Sequence, residues 1–215
     1  MRKKQSEIPT VNFGLLGEEN LVTDFIQVDN PVMQRIAARF PADRDSAIKA
    51  VAAYIAKKLE YPLDYRGRPT AARNTKLFKF WNGFYLTDEN VDYGWLLPSQ
   101  AFMVRKGICV DSSCLATTLL RIKNVKAWTV LGVILKTKSG KVLGFHAWTE
   151  AVKACGEHVL LETTVHPKPA QLVAAEKIYL GGLPVTYDPI AWFNEKEYFE
   201  DKQKTRKYGE MFPYG

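Results

Sequence analysis

Two apolar runs separated by a short polar turn constrain the fold of this 215-residue chain more than any other feature. Residues 126–136 are rich in Val, Trp, Thr and Ile, which favours a strand, and residues 142–151 form a second such run. The turn between them, at residues 138–141, reads Lys-Ser-Gly-Lys, so the two runs are predicted to pair as an antiparallel hairpin. Residues 159–164 are predicted to add a third strand.

Helical periodicity appears mainly before these strands. Apolar residues recur at helical spacing over residues 46–59 and again over residues 109–122, which predicts two long helices. Shorter helices are predicted around residues 32–40 and 98–104, and residues 171–177 are a further helical candidate. Helices followed by an antiparallel meander are typical of an α+β fold.

Composition and length limit the class of protein. A hydrophobic content of 47% and a charged content of 25% are ordinary for a soluble globular chain. No apolar run approaches the roughly 20 residues that a membrane helix needs, and the charged N-terminus is followed by no apolar signal region. We therefore expect a cytoplasmic protein in a reducing setting, with no membrane partner, where a free thiol persists.

Basic residues gather near both termini. The net charge is +7 and the isoelectric point is about 9.2, with clusters at residues 2–4 and 202–207. These clusters are compatible with an acidic partner such as nucleic acid, a cell-wall polymer or an anionic protein surface, although a solvated surface is the simpler interpretation. No nucleic-acid-binding motif is present, so a nucleic-acid partner is not expected.

One of the three cysteines stands where a helix is predicted to begin. Cys109 follows the turn at Gly107 and opens the predicted helix. The free N–H groups and partial positive charge of a helix N-terminus favour a thiolate, and the Cys109 N–H is a candidate donor to an oxyanion. Cys109 is therefore a candidate nucleophile. Cys114 and Cys155 are expected to be small buried hydrophobes.

A histidine and a carboxylate lie in neighbouring predicted strands. Alternation along the strand puts His146 on the same face as Trp148. Glu162 lies in an apolar strand, where a carboxylate is costly to bury unless it is paired. If the two strands are neighbours, Glu162 would set the tautomer and orientation of His146, as the acid of a catalytic triad does. Asp188 is a competing acid outside the predicted sheet.

Taken together, these motifs resemble those of the transglutaminase-like superfamily of papain-like cysteine enzymes, in its bacterial, archaeal and phage forms. The run Lys-Gly-Ile-Cys-Val-Asp at residues 106–111 resembles the family's nucleophile helix, and His-Ala-Trp-Thr-Glu at residues 146–150 resembles its base motif. Leu-Glu-Thr-Thr at residues 161–164 falls where the family usually has an Asp-Pro-Thr-like segment, so Glu162 replaces the usual Asp. The resemblance covers residues 42–166.

The resemblance implies a papain-like core in which the nucleophile helix packs on an antiparallel sheet. It suggests an N-terminal arm over residues 1–41, a catalytic domain over residues 42–180 and a C-terminal extension over residues 181–215. The implied catalytic residues are Cys109, His146 and Glu162. No cofactor is implied. The remaining candidate metal ligands are Cys155, His158 and His166. Their spacing matches no familiar metal-binding pattern, so no metal is expected.

The reaction implied by the family is cleavage or transfer of peptide or glutamine-type amide bonds through an acyl-thioester on Cys109, with a protein or peptide as substrate. Aromatic residues between 78 and 95 are expected to pack in the core or to line a cleft, and Trp95 and Gln100 are candidate helpers to the oxyanion. The superfamily also contains inactive interaction modules. The alternative is therefore a non-catalytic module of a larger assembly, for example a virion component.

Overall fold

The computed structural model describes residues 7–13, 18–61, 76–80, 84–90, 95–164, 171–173, 175–180 and 182–208. Within these ranges the helices are α1 Pro31–Ala37, α2 Arg44–Lys58, α3 Pro98–Val104, α4 Cys109–Ile122 and α5 Lys202–Tyr208, with short 3-10 turns at Val22–Phe25 and Ala175–Lys177. The strands are β1 Thr10–Phe13, β2 Glu18–Leu21, β3 Lys76–Phe80, β4 Phe84–Asn90, β5 Ala127–Lys136, β6 Val142–Val152, β7 His158–Glu162, β8 Gln171–Val173, β9 Ile178–Leu180, β10 Leu183–Phe193 and β11 Tyr198–Glu200.

An antiparallel sheet and a layer of helices make up the architecture. In the main sheet of the described residues, the strand order is β11-β10-β5-β6-β7-β8, and β9 pairs with one end of β10. Each neighbouring pair is antiparallel. Two separate hairpins, β1-β2 and β3-β4, lie outside this sheet. The predicted α+β fold, with a helix packed on an antiparallel sheet, is confirmed.

Helix α4 is buried because it lies between the other helices and the sheet. Its core-facing residues Leu115, Leu119 and Leu120 pack with α1 and α2 on one side, and with sheet residues such as Ala151 and Leu161 on the other. Nearly every position of α4 after Cys109 is buried, including several hydroxyl residues. The hydroxyls make hydrogen bonds that satisfy them inside the core, for example Thr129 Oγ1 to Thr117 Oγ1 at 2.9 Å.

The opposite face of the sheet has its own apolar cluster, made by residues that alternate with those facing α4. Val130, Trp148, Leu160 and Tyr187 are among its buried members. Gly132 lies next to this cluster in β5, where an added Cβ would stand 2.3 Å from the Asp188 carbonyl oxygen and 2.5 Å from a ring carbon of Trp148. The close approach of β10 and the Trp148 ring therefore requires glycine at this position.

Two sequence predictions about the C-terminal third are wrong. Gln171–Val173 form β8 and Ala175–Lys177 a 3-10 turn, where the sequence predicts a helix, because β8 pairs with β7 and its backbone groups are used in that ladder. Asp188 lies inside the sheet, since β10 pairs with β5 from Val185 to Phe193 around a bulge near Pro189. Residues 183–193 thus supply a long strand to the main sheet, although they lie in the predicted C-terminal extension.

Part of the predicted N-terminal arm also packs against the core. Val22, Phe25 and Ile26 are buried against the start of α4, and the Gln27 N–H donates to Thr118 Oγ1 at 3.1 Å. The exact domain boundaries stay predictions. The helices of the described residues include none that is both long and apolar enough to cross a membrane.

Candidate active site

The N-terminus of α4 presents the candidate nucleophile. Cys109 is the first residue of the helix, as predicted, and its side chain is partly exposed. The carbonyl oxygen of Cys109 accepts hydrogen bonds from Ser112 Oγ at 3.0 Å and from Ser113 Oγ at 2.7 Å. Thr163, beside the candidate acid, donates to Ser112 Oγ at 3.1 Å. These bonds tie the first turn of the helix to the end of β7.

His146 and Glu162 meet as the sequence predicts. The ladder between β6 and β7 pairs Thr149 with Leu161, which brings the neighbouring Glu162 beside His146. The distance between His146 Nε2 and Glu162 Oε2 is 2.6 Å. The Glu162 side chain is 1% exposed and the His146 side chain 12% exposed, so water hardly competes for this bond.

The Glu162 carboxylate is hydrogen-bonded at both oxygens. Oε2 accepts from His146 and from the Tyr187 hydroxyl, the latter at 2.5 Å. Oε1 accepts from the backbone N–H and from the hydroxyl of Thr164, both at 2.7 Å. Four donors compensate the desolvation of a buried carboxylate and hold its plane in one orientation.

The two partners shift each other's ionisation. Burial on its own lowers the pKa of His146, but the Glu162 charge and hydrogen bonds to Cys109 and Glu162 raise that pKa to about 10. Burial raises the pKa of Glu162, but the His146 charge and hydrogen bonds from His146, Tyr187 and the Thr164 backbone lower it to about 2. At neutral pH the pair is therefore an imidazolium beside a carboxylate.

His146 also lies near the thiol, because the proximity of Cys109 helps to raise the pKa of the imidazole. The structure thus brings Cys109, His146 and Glu162 together, although they are far apart in the sequence. Asp188, the competing acid, instead binds Lys204 and accepts from the Tyr208 hydroxyl at 2.9 Å, which anchors α5 to the sheet.

Tyr187 is a site residue that sequence reasoning missed. Its ring, 2% exposed, meets the His146 ring edge-on at 5.4 Å and the Trp148 ring edge-on at 4.9 Å. The shared contact confirms that His146 and Trp148 lie on one face. Burial and the Glu162 charge raise the pKa of Tyr187 far above its usual value, so its hydroxyl stays protonated and donates. Tyr187 lies in the predicted C-terminal extension, so the sequence does not predict that it reaches the site.

Tyr61 is a second residue that sequence reasoning did not connect with the site. Burial and the nearby charges of Cys109, Asp111 and Glu162 raise its pKa, while a hydrogen bond with the Cys109 backbone acts in the opposite direction. Tyr61 therefore lies close to the start of α4.

The two candidate oxyanion helpers have other contacts in this structure. The Trp95 ring stacks on Phe193 with the centroids 6.1 Å apart and meets Phe25 edge-on at 5.2 Å. Gln100 Oε1 accepts from the Leu97 N–H at 3.2 Å, at the start of α3. The side chains of residues 78–94 lie outside the described part, so their predicted place in a cleft or core stays a prediction.

The other cysteines and histidines are separate from this site. Cys114 is buried as predicted, and burial raises its pKa well above the usual value, whereas Cys155 is exposed, contrary to prediction, because it lies in the turn before β7. His158 stacks on Trp128, and His166 lies outside the described residues. Within the described ranges, no three His, Cys, Asp or Glu side chains are grouped to hold a metal.

Comparisons with solved structures show only distant likeness. A Cytophaga hutchinsonii protein described as a candidate cysteine protease has 18% sequence identity and a TM-score of 0.43, and the match covers 76% of this chain but only 43% of that one. Legionella pneumophila LapG has 13% identity and a TM-score of 0.43, with 85% and 92% of the two chains covered. EGTA-treated LapG has 13% identity and a TM-score of 0.44, with 86% and 93% covered.

No curated protein matches the chain. The family comparison matches residues 85–160 to the transglutaminase-like superfamily. The matched segment contains Cys109 at the start of α4 and His146 in β6, which are the residues that carried the resemblance in the sequence. Residues 85–160 are therefore similar to the core of the transglutaminase-like superfamily.

Proposed function

We propose that this chain is a cysteine-dependent enzyme that cleaves or transfers peptide or glutamine-type amide bonds through an acyl-thioester on Cys109. One observation carries the proposal: the His146 imidazole is hydrogen-bonded to the buried Glu162 carboxylate and lies close enough to Cys109 for that residue to raise its pKa. Nucleophilic catalysis requires a nucleophile, a base within reach of it and a group that orients the base.

The geometry suggests which nitrogen moves the proton. Glu162 holds Nε2 of His146, so Nδ1 is the nitrogen that exchanges a proton with the Cys109 thiol. The high pKa of His146 means that the imidazole holds this proton until the leaving amine takes it. The resulting pair is a thiolate beside an imidazolium, which is a reactive form of a cysteine nucleophile.

The proposed reaction then proceeds in two steps. The Cys109 thiolate attacks the amide carbon, and the carbonyl oxygen becomes an oxyanion that can accept from the Cys109 N–H. Collapse of this intermediate breaks the C–N bond, and His146 gives its proton to the leaving amine. The acyl-thioester is finally resolved by water, which completes hydrolysis, or by a second amine, which completes transfer. His146 takes the proton of the attacking molecule in either case.

A labelling experiment tests the nucleophile. Cys155→Ser removes the exposed thiol, so that Cys109 becomes the accessible cysteine among the described residues. Iodoacetamide at neutral pH should then modify Cys109 rapidly, and His146→Ala should slow the modification. His158→Ala is the matched control, because His158 stacks on Trp128 rather than on the thiol. Equal rates in the two histidine variants would contradict the proposal.

A second experiment tests the acyl-thioester. p-Nitrophenyl acetate should release one equivalent of p-nitrophenolate in a fast phase, and added hydroxylamine should trap the acetyl group as a hydroxamate. Both signals should disappear in Cys109→Ala. Loss of His146 should reduce acylation about 10²- to 10⁴-fold, the usual contribution of general acid–base catalysis. Mass spectrometry that finds the acetyl group on any residue other than Cys109 would exclude the proposed mechanism.

A further inference from the structure

A buried carboxylate other than Glu162 lies beside the nucleophile. Asp111 is two residues after Cys109 and its side chain is 0% exposed. Oδ2 accepts from the Ile108 N–H at 2.8 Å, and Oδ1 accepts from the Leu96 N–H, also at 2.8 Å. Capping one N–H at the start of a helix is ordinary for an aspartate. Binding a second N–H, from a segment 15 residues away, goes beyond capping.

The second bond connects two separate backbone segments. Leu96 belongs to the stretch that leads from Trp95 into α3, whereas Ile108 is the N-cap of α4. Side chains from both segments pack against the same apolar cluster. They are Trp95 and Leu97 from the first segment, and Ile108 and Cys109 from the second. Asp111 thereby fixes where the Trp95–Leu97 backbone lies relative to the nucleophile.

The turn before the nucleophile is built closely around this carboxylate. A Cβ at Gly107 would stand 2.9 Å from Asp111 Cβ and 2.9 Å from Leu59 Cδ2. The Gly107 N–H donates to the Glu60 carbonyl oxygen at 3.2 Å, and the Glu60 N–H donates to the Arg105 carbonyl oxygen at 2.9 Å. These bonds hold the end of α2, and with it Tyr61, beside the start of α4. Since Gly107 has no side chain, Asp111 can approach the turn.

We propose that Asp111 is a positioning residue for the oxyanion site, an inference that rests on the proposed function. Its carboxylate sets the angle at which the first turn of α4 leaves Ile108, and so aims the Cys109 N–H at the substrate carbonyl oxygen. Asp111 does not touch the substrate. It acts through the backbone, since both of its oxygens hold backbone N–H groups.

Two reactions of the same thiol separate this role from a general structural one. Alkylation by iodoacetamide displaces iodide at a saturated carbon and forms no oxyanion, so it reports on the thiolate and its accessibility. Acylation by p-nitrophenyl acetate passes through a tetrahedral oxyanion, so it also reports on the donors around that oxygen. The ratio of the two rates therefore measures oxyanion stabilisation alone.

Asp111→Asn is the main variant, made in the Cys155→Ser protein. The amide keeps the size of the side chain but can accept with only one of its two terminal atoms, so one of the two backbone N–H groups loses its acceptor. We expect acylation to fall by roughly 10- to 100-fold, below the loss for removing an oxyanion donor outright, and alkylation to change less than about twofold. Asp43→Asn, in the N-cap of α2 away from the site, should leave the ratio unchanged.

Gly107→Ala gives the same test by a different route. The added Cβ would displace Asp111 without changing the carboxylate. This variant replaces Asp111→Asn if Asp111→Asn fails to fold. Circular dichroism and cooperative unfolding show whether each variant is folded. An unchanged ratio in the folded variants, or equal losses of both reactions, overturns the role of Asp111. If the parent protein shows no Cys109-dependent acylation at all, the proposed function fails and the role of Asp111 falls with it.

Discussion

The Tyr187 hydroxyl donates a 2.5 Å hydrogen bond to Oε2 of Glu162, the same oxygen that binds His146 Nε2 at 2.6 Å. Tyr187 comes from β10, Glu162 from β7 and His146 from β6, so three strands contribute to the hydrogen bonds of one carboxylate oxygen. Two donors on one oxygen stabilise the charged form of Glu162 and prevent the carboxylate from turning away from the imidazole.

Tyr187→Phe should therefore weaken the site and preserve the fold. The phenyl ring keeps its contacts with His146 and Trp148, while the lost hydrogen bond to a charged group should cost about 1.5–3 kcal/mol of unfolding free energy. The pKa of Glu162 should rise, because one of the bonds that lowers it is gone. We expect p-nitrophenyl acetate acylation to slow by about tenfold, which corresponds to 1.4 kcal/mol in the barrier. Tyr179→Phe, at an exposed position, should change neither stability nor rate.

Glu162→Gln should abolish most of the acylation activity but leave the protein folded. The amide keeps the size and burial of the side chain, yet it removes the charge that raises the pKa of His146 and can support the wrong tautomer. A loss of about 10²- to 10⁴-fold is expected, by analogy with the acid of serine protease triads. Asp188→Asn serves as the comparison, because Asp188 binds Lys204 and Tyr208 instead of the imidazole. A larger loss for Asp188→Asn would refute the assignment of Glu162.

The free energy of unfolding should depend on pH in a way set by the His146–Glu162 pair. The pKa of Glu162 is lowered from 4.5 to about 2 on folding, so its stabilisation is complete above pH 4.5 and lost as the pH falls towards 2. The pKa of His146 is raised from 6.5 to about 10, so its stabilisation is complete below pH 6.5 and lost as the pH rises towards 10. The pair contributes fully only between pH 4.5 and 6.5.

Urea unfolding across this pH range checks the prediction. Glu162→Gln should remove the loss of unfolding free energy that Glu162 causes at acid pH. It should also reduce the loss at alkaline pH, because the Glu162 charge is a main reason for the raised pKa of His146. A variant whose stability fell in parallel with that of the wild type at both ends would show that other groups dominate the pH dependence.

Gly132→Ala should destabilise the sheet severely. Its Cβ would stand 2.3 Å from the Asp188 carbonyl oxygen and 2.5 Å from a Trp148 ring carbon, so β10 and Trp148 must move. Overpacking of this kind costs about 1–3 kcal/mol or more, measured by urea unfolding. Gly144→Ala is a close control, because Gly144 pairs with Ile134 in the same hairpin and has nothing within 4 Å of an added Cβ. Equal stability of the two variants would contradict the predicted clash.

The local patterns of this sequence allowed the elements that carry the nucleophile and the base to be predicted closely. Helix α4 begins and ends where its periodicity predicts, at Cys109 and Ile122, and β5 and β6 pair through the Lys-Ser-Gly-Lys turn. Each of these signals depends on residues close together in the chain. The contact between His146 and Glu162 was also predictable, because consecutive strands joined by a short turn tend to pair.

Strand β10 illustrates what local patterns miss. Its partner β5 lies about 50 residues earlier in the chain, and Pro189, which disfavours a central strand, is accommodated at a bulge. Local patterns do not predict that pairing. They therefore place Tyr187 in a C-terminal extension and leave Asp188 as an alternative to Glu162. In the fold, alternation along β10 sends Tyr187 to Glu162 and Asp188 to α5.

Helix starts, periodicity and turns are local properties of the chain, so the secondary structure around Cys109 and His146 can be predicted from them. The contacts of Tyr187 with Glu162 and of Leu96 with Asp111 depend on the tertiary fold instead, because they link residues 25 and 15 positions apart. They form because a buried carboxylate must find hydrogen-bond donors wherever the packing of the sheet and helices brings them.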